Sequence, residues 1–130
     1  KNYVSGVSVA LDLTLRDLQN DAKKKGHPWS VCKGFDGACP VGKFVPLSEV
    51  NDIGDFEIEL YKNDELKQKG NTSQMIFPPE ELLAYISRIF TLEEGDIILT
   101  GTPAGVGPIY SKDVIRAKIE KIGAINFEVE

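Results

Sequence analysis

The sequence is short of the residues that build metal clusters and disulfide frameworks: it has two cysteines, Cys32 and Cys39, and one histidine, His27. Two cysteines make no disulfide scaffold, and with a single histidine they cannot close a tetrahedral zinc site. Reduced thiols in a cytoplasmic setting are the expectation. No window approaches the ~20 apolar residues of a membrane helix, so no membrane partner is expected. Basic runs are equally scarce. Lys23-Lys24-Lys25 is the longest, in a chain of 15 basic and 20 acidic residues with net charge −5. Such a chain suits neither nucleic acid nor an anionic lipid surface. An initiator methionine is also missing: the sole methionine is Met75, and the first residues already read as strand. The 130 residues are therefore expected to be the C-terminal part of a longer protein.

At 42% hydrophobic and 27% charged residues, the composition is that of one globular domain. A domain of this size buries somewhat over ~65% of its unfolded surface. Val4 to Leu11 alternates as a strand, with Val7, Val9 and Leu11 on one face. Asp12 follows, and Thr14 with Asp17 suggests a capping box opening a helix through Leu15, Leu18 and Ala22 to Gly26. Residues 27 to 55 read as a long ordered loop with aromatic anchors Trp29, Phe35 and Phe44. Phe56, Ile58 and Leu60 alternate with Glu57, Glu59 and Tyr61, and a turn at Lys62-Asn63-Asp64 predicts a β-hairpin with one wet face. A second helix is predicted from Pro79 through Phe90. Asp96 to Thr100 reads as a short buried strand, followed by the glycine-rich turn GTPAGVGP and two closing strands, Val114 to Ile119 and Ala124 to Val129. The class is α+β, mainly β.

Asp12, Arg16, Gln19 and Lys33 form the densest polar constellation. If a helix begins at Asp12, the first three share one face, and Lys33 folds back over them from the loop. A carboxylate for a divalent cation, a guanidinium, an amide and an ammonium suit a metal-assisted reaction on a small carboxylate-bearing substrate. The plainer alternative is a capping Asp12 paired with Arg16 on a surface helix. Thr102 adds a hydroxyl in a turn whose backbone amides can approach an anion closely, although chain reversal alone also explains such a turn. His27 has no acid partner beside it and reads as an exposed linker residue. Cys32, next to Lys33 but without a base, reads as an idle thiol.

The stretches YVSGVSVALDLTLRDLQNDAKKKGHPW, CKGFDGACPVGKFVP and GNTSQMIFPPEELLAYISRIFTLEEGDIILTGTPAGVGP resemble the fumarylacetoacetate hydrolase family over essentially the whole chain. The nearest branch is that of small acylpyruvases, oxaloacetate decarboxylases and related isomerases. The resemblance implies a rolled, mixed β-sheet fold with two main helices, the C-terminal catalytic domain type, assembled as a homodimer. It implies that Asp12 is the last of several carboxylates holding Mg²⁺ or Mn²⁺. It implies that Arg16, Gln19 and Thr102 contact the substrate, and that Lys33 is the catalytic lysine that polarises a substrate carbonyl or steadies an enolate.

Family members carry an upstream Glu-x-Glu segment that is absent here, and in hydrolases an upstream His–Glu pair; His27 does not match it. Residues 1–130 alone are thus expected to be inactive. The expected activity of the full protein is metal-dependent C–C bond hydrolysis of an acylpyruvate or fumarylacetoacetate-like oxo acid. Oxaloacetate decarboxylation and keto–enol isomerisation are alternatives. A non-catalytic fragment or dicarboxylate-binding module is the rival reading.

Overall fold

Period-two patterning accounts for the main sheet of the computed structural model, which describes residues 3–50 and 52–130. Strands β3 (Glu57–Lys62), β4 (Glu65–Asn71), β5 (Val114–Ile119) and β6 (Gly123–Glu128) form an antiparallel sheet in the order β4-β3-β5-β6. The β3–β4 turn uses Asn63 and Asp64 with φ of 50° and 64°. Asn and Asp tolerate that left-handed backbone, and a two-residue turn of this hand matches the strand twist.

A second, two-stranded ladder pairs β1 (Gly6–Val7) with β2 (Val45–Pro46). Gly6 is needed there, because a Cβ would lie 2.7 Å from the Val45 carbonyl oxygen. The helices are α1 (Arg16–Lys25), the four-residue α2 (Ser30–Lys33) and α3 (Pro79–Ile86). The α+β class stands. Every ladder among the described residues is antiparallel, so no mixed sheet forms here.

One face of the large sheet carries Ile58, Leu60, Ile115, Ala117 and Ile119. Ile115 is wholly buried, yet Ile58 and Leu60 are only half-buried, because this face borders an open cavity. The opposite face is not the bare wet surface that the alternation suggests. Glu59 is 6% exposed at its centre. Its cross-strand partners are Lys69 and Lys118, whose ammonium groups reach it at 3.1 and 2.6 Å, while the Tyr61 hydroxyl donates at 2.8 Å. Long lysine stems cover the carboxylate and their heads neutralise it.

Several sequence expectations change. Val4 to Leu11 is extended, but only Gly6–Val7 forms a regular strand. Beyond it the chain runs alongside residues 38–42 through bonds from Gly42 N to Val9 O and Leu11 N to Pro40 O. Helix α1 starts at Arg16 behind Leu15, without a side-chain cap, so the Thr14–Asp17 capping box does not form. Trp29 and Phe44 are each 46% exposed, so neither anchors the loop. The Trp29 ring instead lies under the Lys23 ammonium, 5.0 Å from its centre. Helix α3 stops at Ile86, and Ser87–Phe90 continue as loose turns. Asp96–Thr100 joins no ladder, and Ile97 and Leu99 are exposed.

Surface area expresses the same openness. The chain exposes 9446 Å², whereas a compact domain of this mass exposes roughly 6,800 Å² and an unfolded chain roughly 20,700 Å². Burial is thus roughly 54%, below the ~65% expected from length. Among the described residues, no helix is long and apolar enough to cross a membrane.

The Glu59 cluster gives a pH test. Hydrogen bonds from Lys118, Tyr61 and Lys69 hold the Glu59 carboxyl at about 2, below its ordinary 4.5. A depressed carboxyl stabilises the fold above its unfolded pKa, and this contribution is lost as pH falls through the folded value. Urea unfolding should therefore show stability declining between pH 4.5 and about 2. Glu59→Gln should start lower at neutral pH and decline less steeply. Equal slopes in the two proteins would contradict the assignment.

Candidate active site

The strand leading into α1 and the loop leaving it are stitched together by backbone bonds. Leu13 N donates to Ala38 O at 2.9 Å, and Leu15 N donates to Cys32 O at 3.1 Å. These bonds carry α2, and with it Lys33, back against residues 12–14. Gly26 makes the return possible: its φ of 66° is left-handed, and its N–H caps the last turn of α1.

Lys33 Nζ then lies 2.8 Å from Asp12 Oδ2 and 2.9 Å from Thr14 Oγ1. The Thr14 hydroxyl donates onward to the Asp12 carbonyl at 3.3 Å. The Lys33 and Asp12 side chains keep 33% and 37% of their exposure. At that exposure the pair adds little stability, and both groups stay reachable from solvent.

Arg16 and Gln19 form a second pair. One turn apart on α1, they meet through a bond from Arg16 Nη1 to Gln19 Oε1 at 2.5 Å. Gln19 is 2% exposed, which fixes its amide and so aims Arg16. Asp12 is not on this helical face, because α1 begins only at Arg16. The predicted single helical face is thus replaced by two adjoining pairs, Asp12 with Lys33 and Arg16 with Gln19.

Thr14 caps no helix and instead stands beside Lys33, a role that the sequence reading does not assign it. The available signal was strand periodicity: in an extended segment, residues 12 and 14 point the same way.

Thr102 is exposed on the glycine-rich turn. It lines an open cavity of ≈ 2810 Å³ whose wall also includes Asp12 and Arg16. Small-ligand pockets are typically ~300–1,000 Å³, so this is a broad trough with the candidate residues on its wall. Lys33 and Gln19 are not among the lining residues, but each is bonded to one that is, Lys33 to Asp12 and Gln19 to Arg16. His27 is exposed, as expected. Cys32 is 2% exposed, its thiol directed to the Trp29 carbonyl at 3.0 Å while the adjacent Lys33 points to Asp12.

The residues do not by themselves fit a divalent cation. Mg²⁺ and Mn²⁺ want several oxygen ligands. Among the described residues, no group of three or more His, Cys, Asp or Glu converges, and the Asp12 carboxylate already faces an ammonium.

The sequence pattern described as "Fumarylacetoacetate (FAA) hydrolase C-terminal" matches residues 1–130. The mitochondrial oxaloacetate tautomerase of Bos taurus is 48% identical over 129 residues, 99% of this chain and 58% of the relative. The mitochondrial oxaloacetate decarboxylase of Dictyostelium discoideum is 50% identical over 118 residues, 91% of this chain and 54% of the relative. Fumarylpyruvate hydrolase from Pseudomonas aeruginosa, solved with Mn²⁺ and pyruvate, superposes with a TM-score of 0.96 at 35% identity, covering 98% of this chain and 55% of that one. The chain thus spans little over half the length of these relatives.

One carboxylate paired with lysine should bind a divalent ion poorly. A Mn²⁺ titration of residues 1–130, followed by electron paramagnetic resonance, should reveal no site tighter than about millimolar. Micromolar binding would contradict this reading of the site.

Proposed function

The chain belongs to the fumarylacetoacetate hydrolase family, and on that footing we propose that the whole protein is an enzyme of small 2-oxo acids that acts on oxaloacetate through its enol or enolate. The observation that carries this reading is the Lys33 ammonium, held by Asp12 and Thr14 yet one-third exposed. A fixed positive charge favours a reaction that builds negative charge on a carbonyl oxygen. In tautomerisation a proton leaves C3 of oxaloacetate and one is added to the C2 oxygen. In decarboxylation the C3–C4 bond breaks, CO₂ departs, and the electron pair is left as the enolate of pyruvate. Lys33 steadies the same oxygen in both.

Arg16 and Thr102 are the proposed substrate contacts, with Gln19 acting through Arg16. Arg16, aimed by buried Gln19, and Thr102 share one cavity wall, an arrangement suited to a dicarboxylate. Dependence on Mg²⁺ or Mn²⁺ and homodimeric assembly belong to the same proposal. Asp12 would be one ligand among carboxylates that residues 1–130 do not supply.

C–C bond hydrolysis of an acylpyruvate, the activity first expected, is the second reading. The similarity to fumarylpyruvate hydrolase favours it. There, water adds to the acyl carbon, and the C–C bond breaks to release the same pyruvate enolate.

The test is steady-state assay of the full-length protein with Mg²⁺ on oxaloacetate and on acylpyruvates. Oxaloacetate should be the better substrate. Lys33→Ala should lower kcat by about 100-fold or more with little change in KM. Preference for acylpyruvates would favour the second reading. Turnover of neither class, or an active Lys33→Ala, would overturn the proposal.

A further inference from the structure

Gln68 is a buried polar residue on the cavity side of the large sheet. It stands opposite Leu60 on β3, on the face of Ile58, Ile115 and Ala117, and is 9% exposed. A buried amide on an apolar face is costly unless bonded. Its partner is not in the sheet: Gln68 Nε2 donates to the carbonyl of Pro103 at 2.7 Å. Pro103 directly follows Thr102.

The surrounding glycines show that this contact is built for close approach. A Cβ on Gly70 would lie 3.0 Å from Pro103 Cβ, and a Cβ on Gly105 would lie 2.1 Å from the carbonyl oxygen of Lys67. Gly105 also holds a φ of 98°. Residues 103–105 thus rest directly on the β4 backbone.

A second anchor lies farther along, where Lys62 Nζ donates to Pro108 O at 3.0 Å. Lys62 is itself held by Asp113 at 2.7 Å. Among the described residues, these two are the hydrogen bonds that tie residues 97–109 to the sheet. Only the Gln68 bond lies next to Thr102.

We propose that Gln68 is a positioning residue for substrate binding: through the Pro103 carbonyl it fixes where Thr102 stands on the cavity wall that carries Asp12 and Arg16. The inference rests on the reading above that Thr102 contacts a substrate carboxylate. A contact made equally in ground and transition states appears in KM rather than kcat.

The test is a double-mutant cycle in the full-length protein, with oxaloacetate as substrate. Thr102→Val and Gln68→Met should each raise KM about fivefold, the equivalent of one hydrogen bond, with kcat nearly unchanged. Because Gln68 acts through Thr102, Gln68→Met in the Thr102→Val background should change KM by less than about twofold. Multiplying effects, or an unchanged KM in Gln68→Met, would overturn the positioning role while leaving Thr102 a substrate contact. An unchanged KM in Thr102→Val would overturn both. If Gln68→Met fails to fold, Gly105→Ala lifts the turn from the other side. It should show the same non-additivity with Thr102→Val, and additivity would overturn the role.

Discussion

The site depends on the return of the chain from α1 onto the strand that precedes it. Two backbone bonds, Leu13 N to Ala38 O and Leu15 N to Cys32 O, make that return. They bring together residues 21 positions apart, so that Lys33 meets Asp12. Without them a lysine in a glycine-rich loop would remain a solvated charge. With them it becomes a positive group of fixed position, the requirement for stabilising charge that appears only during reaction.

A second constraint fixes the glycine-rich turn. Its backbone lies so close to β4 that Gly105 and Gly70 have little or no room for a side chain. Lys62 and Asp113 clamp its far end. Lys62, the Tyr110 N–H and Asn63 hold the Asp113 carboxyl at about 2. Rigid elements on both sides thus leave a short exposed stretch bearing Thr102. This is a common division of labour, in which a framework sets the place of a loop and the loop carries the chemistry.

Much of this was legible in the sequence because the signals were local. Alternation at Phe56–Tyr61 and the Asn63-Asp64 turn marked the hairpin, and Pro79 marked the start of α3. Asp12, Arg16, Gln19, Lys33 and Thr102 stood out by chemistry and by resemblance. What failed was non-local. Helix α1 begins only at Arg16, so neither the helical face shared by Asp12 and Arg16 nor the capping role of Thr14 forms. Burial at Asp96–Thr100 was inferred from its apolar run, but no strand among the described residues lies alongside it. Burial of Glu59 was invisible because it depends on two lysines from different strands.

The proposed stabilisation of an enolate by Lys33 is tested most cleanly by isolating that step from bond cleavage. Pyruvate is incubated in D₂O with the full-length protein and Mg²⁺, and deuterium entry into its methyl group is followed by NMR. If Lys33 steadies the enolate, exchange is faster than in buffer and is abolished by Lys33→Met. Turnover of oxaloacetate with no methyl exchange above the buffer rate, or undiminished exchange in Lys33→Met, would contradict it.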